Sequence, residues 1–250
     1  MPSLSPKSAT LQQSPIRKLA PLARAAESRG TEVIYLNIGQ PDMPTPPEMI
    51  AELHGLTLAT LAYDGRRGAF FRRELLDALT ILDEGHIDRE RMLGSWSGAM
   101  GQPQFMPSSF RAYAVDATGD GKRDIWNNWA DVAGSVANYF IEHGWRSGED
   151  VVAQATLGHA WSGAKPEPRN TLTPSETVKS LSAMGVLFAT DLPADSKVEL
   201  LAYDGDDGRE HWVGFHNFFV ITKYNRSVMY ALAAHQLGQA IAGKVAESEG

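Results

Sequence analysis

Gly94-Ser95-Trp96-Ser97-Gly98-Ala99-Met100-Gly101-Gln102-Pro103-Gln104-Phe105-Met106-Pro107-Ser108-Ser109 decides how this chain is read. Glycine, proline and serine break the stretch between aromatic and methionine side chains, and the same character runs on to about residue 130. Such a loop-rich segment has to be held by a surrounding core, and binding or catalytic sites are often built from segments of this kind.

The flanks supply that core. From Phe70 the apolar residues Phe71, Leu75, Leu79 and Leu82 recur at helical spacing, with Arg72, Arg73 and Asp77 on other faces, so an amphipathic helix is expected. Asp131 is placed to cap a helix from Val132 to His143, whose Val132, Val136, Tyr139 and Phe140 share a face and which Gly144 ends. Thr173-Pro174-Ser175-Glu176 reads as a capping box opening another helix. Val198 to Tyr203 and Trp212 to Tyr224 are β-rich runs joined by Asp-Gly-Asp-Asp-Gly, which predicts a hairpin. The last helix, about Ser227 to Ala242, is apolar on most faces and is expected to be buried. Residues 1–55, rich in Pro, Ser and Ala, read as a helix, a strand at Val33 to Ile38 and a turn-rich loop.

Composition narrows the function. The chain has 250 residues, 43% of them hydrophobic and 21% charged, which is the balance of an ordinary globular protein. Its formal net charge of −7 and the lack of a Lys/Arg stripe interleaved with aromatics exclude a nucleic-acid partner. With no cysteine there is no disulfide framework, thiolate metal site or cysteine nucleophile. No apolar run approaches a membrane span and the start has no apolar h-region, so as written the chain is expected to remain in the cytoplasm, as a monomer.

The run 94–109 resembles the signature of the membrane-bound lytic murein transglycosylase B family. Further segments agree in order: Thr60 to Leu75, Asp116 to Trp126, Gly134 to Trp145, and Tyr224-Asn225-Arg226-Ser227 with Tyr230-Ala231. The likeness covers about three quarters of the chain, residues 56–243. It implies an α+β, mainly α, lysozyme-like core over residues 56–250, with a small β element at about 150–215, in a periplasmic or cell-envelope family. Residues 14–49 resemble instead the N-terminus of a fold-type I aminotransferase. That family's Schiff-base lysine and large α/β domain are not recognisable, so no pyridoxal phosphate is expected and a chimaera is suspected, with a seam near residues 50–60.

By the first resemblance the reaction is cleavage of the bond between N-acetylmuramic acid and N-acetylglucosamine in peptidoglycan, leaving a 1,6-anhydro sugar. One carboxyl first protonates the leaving oxygen and then takes the proton of the sugar's C6 hydroxyl, which calls for an apolar pocket that raises its pKa. The family's Gly-x-Glu-[Ser/Thr] context is not found at its register, which falls near Asp42; Glu48 and Glu52 stand too close to Thr60. Turnover is therefore expected to be low or absent, the alternative being a peptidoglycan-binding module. The resemblance implies that Ser95, Gln104, Tyr224, Asn225 and Tyr230 line the glycan cleft, with Phe105 and Met106 as apolar walls. Asp116, Thr118, Asp120 and Asp124 stand at the first, third, fifth and ninth positions of a calcium loop, with the Lys122 carbonyl at the seventh and Gly121 at the turn. Position twelve is Asn127 rather than Glu, and Asp131 fits the later closing aspartate that the family shows.

Overall fold

The computed structural model describes residues 58–62, 67–95, 97–205 and 208–249. The expected N-terminal elements, the suspected seam, and Glu48 and Glu52 lie outside these residues.

Helix α1, Gly68–Asp83, forms as its apolar spacing predicts, but its buried face is centred one residue over. Glu74, Ala78 and Ile81 are buried and Phe71, Leu75 and Leu82 pack beside them, whereas Leu79 is 53% exposed. A charged residue occupies the core face because it is fully partnered there. Ser108, in helix α2 (Pro107–Tyr113), donates its N–H and its hydroxyl to the two Glu74 carboxylate oxygens at 2.9 and 2.8 Å. Two donors offset the cost of taking that carboxylate out of water.

Helix α3 is Trp129–Glu142, and its N-cap is Asn128, whose side chain accepts from the N–H groups of Ala130 and Asp131. Asp131 therefore sits in the first turn rather than at the cap expected for it. Its side chain turns inward to another task. Helices α1 to α3 enclose a core of Ile81, Met100, Phe105, Phe110, Ile125 and Trp126.

A five-stranded antiparallel sheet follows: β1 Val152–Leu157, β2 Glu176–Thr177, β3 Val186–Leu187, β4 Lys197–Gly205 and β5 Gly208–Gly214, in the order β2-β4-β5-β1-β3. The expected hairpin is β4 with β5, paired from Glu199↔Gly214 to Gly205↔Gly208. The second run stops being strand at Gly214, and His216–Tyr224 is helix α5. Its aromatic and β-branched residues suggested strand, but Phe218, Phe219 and Ile221 bury themselves at helical spacing beside Leu201 and Tyr203. Glu176 and Thr177 pair as a strand, so helix α4, Val178–Ala183, starts later than the Thr173 box implied. Thr177 and Ser180 exchange the reciprocal capping bonds instead, at 2.8 and 3.1 Å.

Helix α6, Val228–Glu249, buries Val228, Ala231 and Leu232 in its first turns. Met229, Leu237 and Ile241 are 57%, 62% and 55% exposed, so the burial expected along its whole length is confined to its start. Apolar character all round signals burial only where a neighbour covers it.

Candidate functional site

The 94–109 segment is shaped by close backbone approaches. Met100 bridges Gly94 on one side and Phe105 on the other, and the Trp126 indole N–H donates to the Leu93 carbonyl at 2.7 Å. Gly101 has φ +61°, and a Cβ there would lie 2.6 Å from the Ile125 carbonyl oxygen, so only glycine fits. Among the described residues Gln104 is the one non-glycine with positive φ, at 52°. Its side-chain amide donates back to the Gly101 carbonyl at 2.8 Å. Local strain of this kind, held by neighbours, often marks a functional site.

Phe105, 3% exposed, points into an aromatic cluster drawn from distant parts of the chain. Its ring lies 5.8 Å from Tyr139 of α3 and 6.2 Å from Tyr224 at the end of α5. Tyr139 and Tyr224 meet edge to face at 5.3 Å, and Tyr230 of α6 lies parallel to Tyr224 at 6.5 Å. The Tyr224 hydroxyl donates to the Pro103 carbonyl, tying α5 to the loop. Burial, then the neighbouring phenols of Tyr230 and Tyr139, push Tyr224 up to about 12. Burial raises Tyr139 as well, and its hydroxyl donates to the Lys223 carbonyl at 2.9 Å. Near neutral pH both rings are therefore un-ionised.

Three of the expected cleft residues thus come together: Phe105 on the loop, Tyr224 on α5 and Tyr230 on α6; Gln104, next to Phe105 in the chain, turns its amide back onto the loop. Met106 is half-buried and caps α2 beside Phe105. Asn225 is exposed next to Tyr224. Ser95 bonds within its own turn, to the Ser97 hydroxyl at 3.0 Å and the Ala99 N–H at 3.1 Å, away from the aromatic cluster's own contacts.

Two residues at this site were read from the sequence only as helix faces. Tyr139 is the hub of the cluster, with His143, one turn on, stacked against it at 3.9 Å. Glu74 anchors the loop's far end. The available signals were an i, i+4 aromatic–His pair and a carboxylate on an otherwise apolar stripe.

The acidic turn 116–124 is built locally. The Asp116 carboxylate accepts from the N–H groups of Gly119 and Gly121 at 2.6 and 2.7 Å, and from Asp120 N–H at 3.2 Å. The Gly121 bond first, then those of Gly119 and Asp120, hold its carboxyl below the usual carboxylate range despite some opposing desolvation. Asp131, fully buried, lies beneath the turn and accepts from Ala117 N–H and Asp124 N–H, each at 2.9 Å. Asp120 accepts from Lys122 N–H, and Asp124 from Trp126 and Asn127. Among the described residues no three carboxylate or imidazole groups close on one point as a metal site. The donor chemistry nevertheless fits a hard cation: carboxylates at 116, 120, 124 and 131, the Thr118 hydroxyl and a backbone carbonyl, on a turn permitted by Gly121 at φ +86°.

The profile of the family described as "Transglycosylase SLT domain" matches residues 55–239. Membrane-bound lytic murein transglycosylase B of Escherichia coli (strain K12) is 37% identical over 213 residues, covering 79% of this chain and 57% of that protein. The chain thus spans a little over half the length of this relative. The Escherichia coli lytic transglycosylase Slt35, solved in complex with calcium, superposes with a TM-score of 0.65 at 34% identity, over 90% of this chain and 71% of that one. SltB3 from Pseudomonas aeruginosa, in complex with NAG-NAM-pentapeptide, gives a TM-score of 0.61 at 38% identity, over 72% of this chain and 48% of that one. None of these relatives is an aminotransferase, so the second resemblance, at residues 14–49, gains no support. The mainly helical body with one antiparallel sheet is the fold of the Slt35 type.

Proposed function

The chain belongs to the transglycosylase SLT domain family, and from that premise we propose that it holds peptidoglycan strands against the Phe105–Tyr139–Tyr224–Tyr230 wall while turning them over slowly or not at all. The observation that carries the binding half is convergence. Residues 121 apart in sequence are joined by the Tyr224 hydroxyl on the Pro103 carbonyl, and the joined surface is aromatic with amide and hydroxyl groups at its edge. That is the chemistry a neutral sugar requires: flat apolar rings for the pyranose face, and a few fixed polar groups for hydroxyl and N-acetyl groups. The Tyr139, Tyr224 and Tyr230 hydroxyls and the Gln104 and Asn225 amides would supply the polar groups. A relative's complex with NAG-NAM-pentapeptide supports a strand with its peptide as the ligand class.

The carboxyl inventory of the described residues supports the reduced turnover. A general acid for glycoside cleavage needs a carboxyl in an apolar pocket, free to give its proton to the leaving oxygen. Among the described residues the buried carboxylates are Glu74 and Asp131. Glu74 is occupied by two donors from Ser108, and Asp131 by two backbone amides. Neither faces the wall as a free acid, and Glu48 and Glu52 stand out of the family's register.

Calcium, when bound, would act structurally by tying together the acidic turn. Asp116, Thr118, Asp120, the Lys122 carbonyl and Asp131 would hold it, with Asp131 keeping a second lone pair on each oxygen for the task. A calcium complex of the relative Slt35 supports this reading.

Co-sedimentation with purified insoluble peptidoglycan tests the binding. The full chain is expected to pellet with it, and Tyr230→Ala, at a position 39% exposed, to pellet less with an unchanged melting temperature. Equal pelleting of the two proteins, or none by either, would reject the wall as the binding surface.

A further inference from the structure

Behind the aromatic wall lies a second cleft that the sugar chemistry does not use. Helix α5 turns His216, Phe219, Val220 and Lys223 to one side, at the i, i+3, i+4, i+7 spacing of a single helix face. With the corner 143–149 and the segments 172–174 and 192–197, these residues enclose about 490 Å³. The cleft carries three cations, Arg146, Lys197 and Lys223, and two carboxylates, Glu149 and Asp195. Arg146 is paired with Glu149 at 3.4 Å. Lys197 and Lys223 are exposed, and among the described residues neither makes an ion pair.

The walls are fixed without help from those two lysines. Fully buried Asn217 accepts from the Arg146 N–H at 2.9 Å and donates to the carbonyls of Arg146 and Glu149 at 2.8 and 2.9 Å. His216 bonds the Gly144 carbonyl at 2.7 Å. The cleft also shares a partition with the glycan surface. His143, which lines it, is stacked on Tyr139, Tyr139 abuts Tyr224, and the Tyr139 hydroxyl donates to the backbone carbonyl of Lys223.

We propose that this cleft receives the acidic peptide of a glycan strand seated on the wall, its carboxylates on Lys197 and Lys223 and its ammonium group toward Asp195. The proposal rests on the glycan-binding reading above and extends it to the strand's peptide. An uncharged sugar has no use for two unpaired lysines facing a preformed cleft. A peptide with free carboxylates and an amine matches both signs of charge, and charged groups so matched fix register and partner. His143 and Tyr139 form a partition common to the cleft and the wall, so the two surfaces adjoin.

Calorimetric titration of the full chain tests this with three probes: the free pentapeptide L-Ala-D-Glu-L-Lys-D-Ala-D-Ala, the same peptide with its carboxylates amidated, and tetra-N-acetylchitotetraose. The free peptide is expected to bind and the amidated one to bind at least about tenfold more weakly. The double variant Lys197→Gln/Lys223→Gln, with unchanged melting temperature, is expected to lose roughly tenfold or more in affinity for the free peptide, the size of a lost charge-assisted contact. Its affinity for the chitotetraose should stay within twofold. Equal binding of free and amidated peptide, an undiminished affinity in the double variant, or no peptide binding beside normal chitotetraose binding would each overturn the assignment. Lysine-dependent peptide binding without chitotetraose binding would uphold the cleft and reject the glycan wall alone.

Discussion

The acidic turn and the aromatic wall sit on the same helix, α3, and are assembled in opposite ways. In the turn, Asp116 bonds amides no more than five residues away, and the tie from Ala117 to Asp131 spans 14 residues. In the wall, Pro103 meets Tyr224 across 121 residues and Tyr139 meets Lys223 across 84. A locally closed turn depends little on the rest of the fold, apart from the carboxylate beneath it and the Arg123 contacts with Glu84 and His86, whereas the wall exists only when the loop, α3 and α5 are packed together. Damage to the turn should therefore register first in stability, and damage to the wall in ligand binding.

The sharpest way to break that contrast is Asp131→Ala. It takes the acceptor from the part-buried amides of Ala117 and Asp124 and empties a fully buried site; an amide left unsatisfied costs about 1–3 kcal/mol, so urea denaturation should show a loss of about 3 kcal/mol. A loss below about 0.5 kcal/mol would mean that the turn does not lean on this carboxylate. Calcium comes next. At a free concentration near a hundredfold above its dissociation constant, an ion that binds only the folded turn adds about 2.7 kcal/mol. The melting temperature should rise with calcium and fall back with chelator, and Asp120→Ala should remove the difference. Identical melting in calcium and chelator would take the metal out of the account.

On the wall, Tyr224→Phe removes one hydrogen bond and keeps the ring. About 1 kcal/mol of stability should go with it, together with a larger proportional loss of peptidoglycan pelleting. A variant that loses stability but binds normally would show that Tyr224 is only a strut.

The smallest effect concerns the link from the turn back to α1. The Arg123 guanidinium contacts His86 Nε2 and Glu84, and the Arg123 N–H donates to His86 Nδ1 at 3.3 Å. Burial, then the Arg123 charge, lowers the His86 pKa, with Glu84 opposing. Because the folded value lies below the unfolded one near 6.5, the contribution is full above about pH 6.5 and is lost as the pH falls through the lowered folded value. The urea midpoint should therefore drop between pH 7.5 and pH 5, and His86→Gln should flatten that slope. Equal slopes would assign the pH dependence to other groups.

The same division governs what could be read from the sequence. The acidic turn could be picked out from the sequence because oxygen-ligand spacing is a local code. Asp131 is not the helix cap expected of it, and Asn128 took the cap because its side chain reaches two amides of the first turn. That Phe105, Tyr224 and Tyr230 belong together was suggested by resemblance alone, and the part of Tyr139 was not suggested at all, since nothing in the spacing of these residues says that they touch. The misread elements share one cause. Composition favoured strand at 216–224, but helical burial of Phe218, Phe219 and Ile221 against β4 overrode it. Likewise Leu79 was ceded to solvent because Ser108 made Glu74 the better occupant of the core face.

Release of 1,6-anhydromuropeptides from purified sacculi tests the central claim most directly, measured by chromatography of the soluble fraction beside an intact member of the family. Loss of a positioned general acid typically costs roughly two to four orders of magnitude in rate. The account predicts product at least about a hundredfold below the intact relative from a chain that nonetheless pellets with the sacculi. Anhydro product at a comparable rate would contradict it, and Glu48→Gln and Glu52→Gln would then identify the carboxyl responsible.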